Sequence, residues 1–545
     1  MRRLLLLAVF AWLASAGHAA ALTPEQVSSA LASDDGERRE AAVAALGRTG
    51  DPKWLAFLSA LRDGSVYAHK RGHRVELVVG GAKSARGDQE VVEIVRAYDR
   101  TPLGVVPVAE LTEVAADRRL RLAIKPFLDA SETRLQLADA DPAVRRGAAV
   151  KLGHQADPGA LPLVEEALAR ETDRWTRHAL AEARALIGLA HGDAAARVEA
   201  AQALGGLHAT SALPALRRLA TGAASAAERD AAAAAVRRIE RWTMLATTLE
   251  TAFQGASLAS ILLLMALGLA VVFGLMGVIN MAHGELMALG AYTTFVVQNW
   301  FRDVWPERFD LYFLVALPLA FTVAGAAGLV LERGVIRRLY GRPLETLLLT
   351  WGASLIIQQA LRLWFGAANV DVASPRWLSG GLPVMVGLQL PWNRTFIIGL
   401  AALALGGMYW LLFRTSTGLA IRAVTQNRQM SACLGVRAGV VDATTFALGA
   451  GLAGLAGAAL TQIGNVGPSL GQHYIVDSFM VVVTGGVGKL AGTILAAAGI
   501  GGLNKGIEPA LGAVFAKVLI LVAVIVFLQR RPAGLFAARG RHAEA

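Results

Sequence analysis

The distribution of apolar positions divides the chain. From about Ala256 to Leu528, charges thin out and apolar runs follow one another, predicting helices that span a membrane. They fall near 256–275, 281–299, 311–332, 346–365, 395–413, 440–463, 472–488, 490–506 and 511–529. Before about Trp242 the pattern is mixed and rich in Arg, Glu and Asp, as in soluble helices.

Three soluble segments share one pattern: "REAAVAALGRTGDPKWLAFL", "RRGAAVKLGHQADPGALPLV" and "RVEAAQALGGLHATSALPAL". Their Leu-Gly pairs begin at Leu46, Leu152 and Leu204, separated by 106 and 52 residues, about two periods and one. Each reads as a helix, a break and a second helix whose start tolerates Pro, similar to HEAT-type repeats. Between the first two, "SVYAHKRGHRVELVVGG" alternates apolar and polar residues and predicts a small strand insertion. His69, His73, His154, His178, His191 and His208 are scattered without ligand spacing, so no metal site is expected.

Arg2 and Arg3, an apolar stretch from Leu4 to about Leu13 and the small residues "ASAGHAAA" form a signal-peptide pattern with cleavage near Ala19. The expected organisation is a signal peptide over 1–21, a periplasmic helical-repeat domain over 22–245, a transmembrane domain over 246–532 and a cytoplasmic tail over 533–545. Nine crossings from a periplasmic start place three basic clusters inside: Arg333/Arg337/Arg338/Arg342, Arg414/Arg422/Arg428/Arg437 and Arg530/Arg531/Arg539/Arg541. Arg237, Arg238 and Arg241 lie on the outer side of the first span, where a translocated domain overrides their bias.

Composition sharpens this picture. The 545 residues are 54% hydrophobic and 17% charged, with 57 Gly, which excludes one ordinary soluble domain. The net charge of +11 gathers beside apolar runs, which fits membrane orientation and lipid contact rather than nucleic acid. The single Cys433 has no partner for a disulfide or a metal.

The chemistry lies in polar residues inside apolar runs. "GVINMAHGELMALGAY" carries Asn280, His283 and Glu285. In a regular helix Asn280, His283, Gly284, Met287 and Ala291 share a face, while Glu285 lies about 200° around from His283. They form no dyad, and a second His at HExxH spacing is missing, so no catalytic residue is assigned. With Gln358, Gln359, Gln462, Asn465, Asp477 and Ser478 they are candidates for lining a polar path. "GAGLAGLAGAAL" places Gly449, Ala453 and Gly457 at four-residue spacing, beside Gly451 and Gly454, as in a span packed closely by its neighbours. "VVVTGGVGKLAG" fails the P-loop template at Val483 and Leu490, so no nucleotide site is expected in this chain, and ATP driving its transport would be bound by another subunit. Arg414 to Arg437, between two spans, reads equally as a helix lying against a partner protein or as a basic loop.

"GLMGVINMAHGELMALGAY", "GLAIRAVTQNRQMSACLG" and "GNVGPSLGQHYIVDSFMVVVTGGVGKLAG" resemble the permeases of branched-chain amino acid type ABC importers. "LERGVIRRLYGRPLETLLLTWGASLIIQQ" and the N-terminal extension resemble more closely their urea-importing branch. The resemblance implies an all-α, polytopic permease of the bacterial inner membrane, with a HEAT-like periplasmic domain holding the small β insertion. Its implied partners are a second homologous permease, a periplasmic binding protein and two cytoplasmic ATPases, which alone use ATP and magnesium; this chain carries no cofactor. The coupling loop of such permeases corresponds to Thr417, Gly418, Leu419, Ala420, Ile421, Arg422 and Ala423, with Gln426, Asn427 and Gly435. Lys489 departs from the urea branch, which has Asn there. Branched-chain amino acids or short amides are rival cargoes, and a passive urea or amide channel is a rival of another class.

Overall fold

A computed structural model describes residues 24–536 except 32, 34, 50, 72, 73, 87 and 88. The chain divides into two units between Ile239 and Glu240. The signal peptide over 1–21, and Arg539 and Arg541 of the tail, lie outside the described residues.

The first unit opens with α1 (Pro24–Leu31), α2 (Gly36–Thr49) and α3 (Pro52–Arg62). An antiparallel sheet follows in the order β4-β3-β2-β1-β5, built from Val66–Arg71, Arg74–Arg86, Gln89–Arg96, Pro102–Pro107 and Leu111–Glu113. It is larger than the expected insertion. Alternation continues through "QEVVEIVR", whereas the last two strands are short and broken by Pro and Gly. Helix α4 (Arg118–Leu137) closes over a core that includes Leu46, Phe57, Leu77 and Ile124.

Helices α5 (Pro142–Gln155), α6 (Leu161–Arg170), α7 (Arg174–His191), α8 (Ala194–Leu207) and α9 (Leu213–Gly222) complete this unit with the start of α10 (Ala226–Met276). Asp141, Asp173 and Asp193 cap α5, α7 and α8, accepting from Ala143, Thr176 and Ala196 backbone N–H groups. The Leu-Gly pairs now have a physical cause. A Cβ on Gly153 would lie 3.1 Å from the Ala183 Cα, and one on Gly205 2.9 Å from that of Ala235. Gly153 and Gly205 each admit a neighbouring helix to backbone contact, Gly47 receives the Phe127 ring instead, and the leucine beside each fills the core.

Arg145 grips Glu171 through two contacts, Nε to Oε2 at 2.8 Å and Nη2 to Oε1 at 2.9 Å, and Thr172 and Asp173 N–H groups donate to the same carboxylate. Fifty-two residues on from Arg145, Arg197 repeats the contact with Glu228 at 2.7 Å. The Arg145 guanidinium and the two N–H donors hold the Glu171 carboxyl down at about 2. A depressed value means stability present above about pH 4.5 and lost as pH falls toward 2. Glu171→Gln should therefore cost this unit roughly 2 kcal/mol at neutral pH. Denaturant midpoints of the two proteins should converge between about pH 4.5 and pH 2.

The second unit contains the remainder of α10, then α11 (His283–Val304), α12 (Tyr312–Gly334), α13 (Pro343–Phe365) and a β6–β7 hairpin (Gly381–Met385, Leu388–Pro391). Beyond it lie α14 (Trp392–Arg414), α15 (Ser416–Gln426), α16 (Arg428–Cys433), α17 (Ala438–Leu460), α18 (Leu470–Gly485), α19 (Leu490–Leu511) and α20 (Ala513–Arg530). The chain is mostly helical, as expected, with the β insertion in the first unit; the β6–β7 hairpin of the second unit is an addition the sequence did not predict. Each of the nine expected spans coincides with a helix, but six are long and apolar enough to cross a membrane: α10, α12, α14, α17, α19 and α20. Helix α18 has 16 residues, about 24 Å, and α11 and α13 bury polar side chains that lower their hydropathy.

Helix α17 sits at the centre. A Cβ on Gly449 would lie 2.7 Å from Gly268 O, one on Gly454 2.4 Å from Ala320 O, and one on Gly457 1.9 Å from Met287 O. Gly451 receives the Phe321 ring, and Ala453 is fully buried. Thus α10, α11 and α12 each reach the backbone of α17 through its small residues.

Candidate functional site

Helix α10 stops at Met276 and the chain turns at Gly277, whose φ of 69° favours glycine. Val278 to Asn280 is non-helical and α11 begins only at His283. Asn280 therefore precedes the helix rather than sharing a face with His283, a correction to the regular-helix expectation. Backbone freed by the break finds side chains. Asn280 Oδ1 accepts from Ala282 N at 3.0 Å, and Thr350 Oγ1 accepts from Met281 N at 3.1 Å while donating to Ile279 O at 3.3 Å.

His283 and Glu285 look to different partners. His283 Nε2 lies 3.1 Å from Met265 O, a bond in which this nitrogen donates, and Glu285 Oε1 accepts from Ser354 Oγ at 3.2 Å. Asn280 Nδ2, His283 Nδ1 and Glu285 Oε2 are buried without a protein partner.

The wall opposite this break is α13, whose buried positions are Thr346, Thr350, Ser354, Gln358 and Leu361. Four of these five are polar. Outward it shows Leu344, Ile356 and Trp364, each more than 70% exposed. That reversed amphipathicity suits a helix with lipid outside and polar groups within. Sequence polarity marked Gln358, and Gln359, which turns outward. Hydropathy does not mark the threonines and the serine, although their fourfold spacing in "TLLLTWGASLIIQQ" is a signal that finds them.

A second break lies between the end of α17 at Leu460 and the start of α18 at Leu470. The two broken elements meet. A Cβ on Gly284 would fall 2.4 Å from Gly471 O, and one on Gly471 2.4 Å from Gly284 C, so the first turns of α11 and α18 touch backbone to backbone. Gln462 Nε2 donates to Tyr312 Oη at 3.3 Å, and Tyr312 donates to Ala373 O at 2.5 Å. Gln298 Oε1 accepts from Ala373 N at 2.6 Å. Gln298 Nε2 and Gln462 Oε1 are buried and unpartnered; neither Gln298 nor Tyr312 stood out in the sequence. Asn465 is exposed, Asp477 pairs with Lys517 Nζ at 2.9 Å, and the buried Ser478 hydroxyl has no partner. The structure thus brings Asn280, His283 and Glu285 to one break and Gln462 to the other, and leaves Asp477 on a separate contact.

The segment between α14 and α17 forms two short helices hinged at Asn427. Thr415 Oγ1 accepts from Gly418 N at 3.1 Å, and Asn427 Oδ1 accepts from Met430 N at 2.9 Å. Gly418 backs onto the carbonyls of Leu411 and Leu412, and Ile421 and Val424 turn inward. Leu419, Met430 and Leu434 are exposed, the last by 79%, beside exposed Arg422 and Gln426. Among the described residues no His, Cys, Asp or Glu cluster could hold a metal.

A family model described as branched-chain amino acid transport system / permease component matches residues 251–528. Over 298 residues, 53% of this chain and 95% of the relative, the sequence is 29% identical to the high-affinity branched-chain amino acid transport system permease protein BraD of Pseudomonas aeruginosa. It is 29% identical over 303 residues to LivH of Escherichia coli K12, covering 53% and 94% of the two chains. The ribose import permease protein RbsC of the same strain is 25% identical over 290 residues, covering 52% and 84%.

Proposed function

The chain belongs to the branched-chain amino acid transport system permease family, and from that premise we propose that it is the permease subunit of an ATP-driven importer whose cargo is urea. One observation carries the choice of cargo. The amide nitrogens of Asn280 at the first break, of Gln298 in α11 and of Gln358 in α13, and the amide oxygen of Gln462 at the second break, are buried with no protein partner. Neutral donors and acceptors of this kind replace water around a small neutral amide crossing an apolar wall. The resemblance of Leu331 to Gln359 to urea-importing permeases supports the same cargo.

Branched-chain amino acids are the second reading, favoured by the names of BraD and LivH. In either case α15 and α16 dock onto two cytoplasmic ATPases through Leu419, Met430 and Leu434. A second permease completes the path, and a periplasmic binding protein delivers cargo on the side of the first unit, whose helix pairs we place in the HEAT-like class. A strain lacking this chain should lose ATP-dependent uptake of labelled urea and keep that of leucine. The opposite selectivity would transfer the assignment to amino acids, and urea flux by the purified chain without ATP would make it a channel.

A further inference from the structure

Arg428 opens α16, and its half-exposed side chain reaches from this segment to the edge of the bundle. Its Nη2 lies 2.6 Å from Asp442 Oδ2 in the first turns of α17, and its guanidinium carbon stands 4.8 Å from the centre of the Tyr340 ring. Tyr340 Oη donates to Glu332 Oε1 at 2.7 Å, in the last turn of α12. Glu332 and Asp442 are 0% and 2% exposed; Glu332 Oε2 has no protein partner, and Asp442 Oδ2 meets Arg428 as an ion pair without hydrogen-bond geometry. A second cation on this side is Arg337, whose Nη2 lies 2.8 Å from where a Cβ of Gly439 would stand.

Two buried carboxylates thus end the two most closely packed helices of the bundle. The cation within ion-pair distance of Asp442 comes from the segment outside it. A buried carboxylate stripped of its cation is unfavourable, and because the Arg428 side chain is half exposed the cost of separation falls on the Asp442 side of the pair. Asp442 lies fifteen residues before Gly457, about 22 Å along one helix, and Gly457 bears on Met287 in the second turn of α11.

We propose that Arg428 is a positioning residue for coupling: its ion pair with Asp442 and its seat on Tyr340 fasten α15 and α16 to α17 and α12. Displacement of the docking segment is then delivered along α17 to the broken helices at Gly284 and Gly471. This rests on the importer function proposed above.

The test uses the complete transporter in proteoliposomes, with cargo uptake and ATP hydrolysis measured on one preparation. Arg428→Ala and Asp442→Asn should each leave the ATPases bound and hydrolysing while cargo moved per ATP falls at least tenfold. Arg428→Lys should recover most of that ratio, and the exchange Arg428→Asp with Asp442→Arg part of it. A ratio within twofold of wild type in both single variants would overturn the proposal. Loss of the ATPases from purified Arg428→Ala complex would also overturn it, making Arg428 a docking contact. Absence of ATP-dependent uptake in the wild type would instead remove the importer function itself.

Discussion

Replacing Gly457 by leucine prevents the second unit from assembling, and alanine at the same position already weakens it. The added Cβ would lie 1.9 Å from Met287 O, 2.9 Å from Met287 C and 3.0 Å from Ala291 N. All three are backbone atoms of α11, so no side chain can swing away. The helix must retreat, but Gly290 holds it against Gly454 and Gly284 against Gly471. Alanine should cost about 3 kcal/mol, near the upper range for overpacking, a large part of typical total stability. Leucine should leave no monodisperse species in detergent. Gly406→Ala in α14 is the control, because a Cβ there meets nothing within 4 Å, and it should be neutral or up to about 1 kcal/mol stabilising. A Gly457→Ala melting curve that overlays wild type would refute the backbone contact.

Glu285→Gln separates lining from stapling at the first break. Glutamine keeps the size of the side chain and an oxygen for the Ser354 hydroxyl, but puts an amide in place of the unpartnered Oε2. Assembly should be unchanged, and uptake should fall at least about tenfold, equal to about 1.4 kcal/mol in the transport barrier. Asn280→Ala acts on both properties: it removes the acceptor for Ala282 N, costing about 1 kcal/mol as other lost caps do, and it deletes the free Nδ2. Uptake should therefore drop in both variants while thermal stability drops in one. Normal uptake by well-assembled Glu285→Gln would make that carboxylate a staple.

Element positions were largely legible because long apolar runs and Asp-capped helices announce themselves. The break at 277–282 was not. "GVINMA" continues the apolar run, and an extended apolar segment has the hydropathy of a helical one; Gly277 alone hinted at a turn. The small residues of α17 were visible from their spacing, but not that Gly454 is approached from two sides, by Ala320 and by Gly290. The contact of Gly284 with Gly471, 187 residues apart, has no local signature at all. Thr350 and Ser354 are not legible in the sequence because single hydroxyls barely change hydropathy, and only their register against Met281 and Glu285 gives them meaning. The angular separation of His283 and Glu285 did follow from helical geometry, and their different partners reflect it.

The reversed face of α13 bears on how the protein is made. Its 23 residues include Glu345 and Arg362 as well as the row of hydroxyls and an amide, so the helix gains little by entering lipid alone. Its partners at the break, Ile279, Met281 and Glu285, precede it in the chain and are synthesised first. Insertion of α13 is thus conditional on α10 and α11 already standing in the bilayer, and a ribosome stalled before residue 343 would leave that polar surface waiting for its cover.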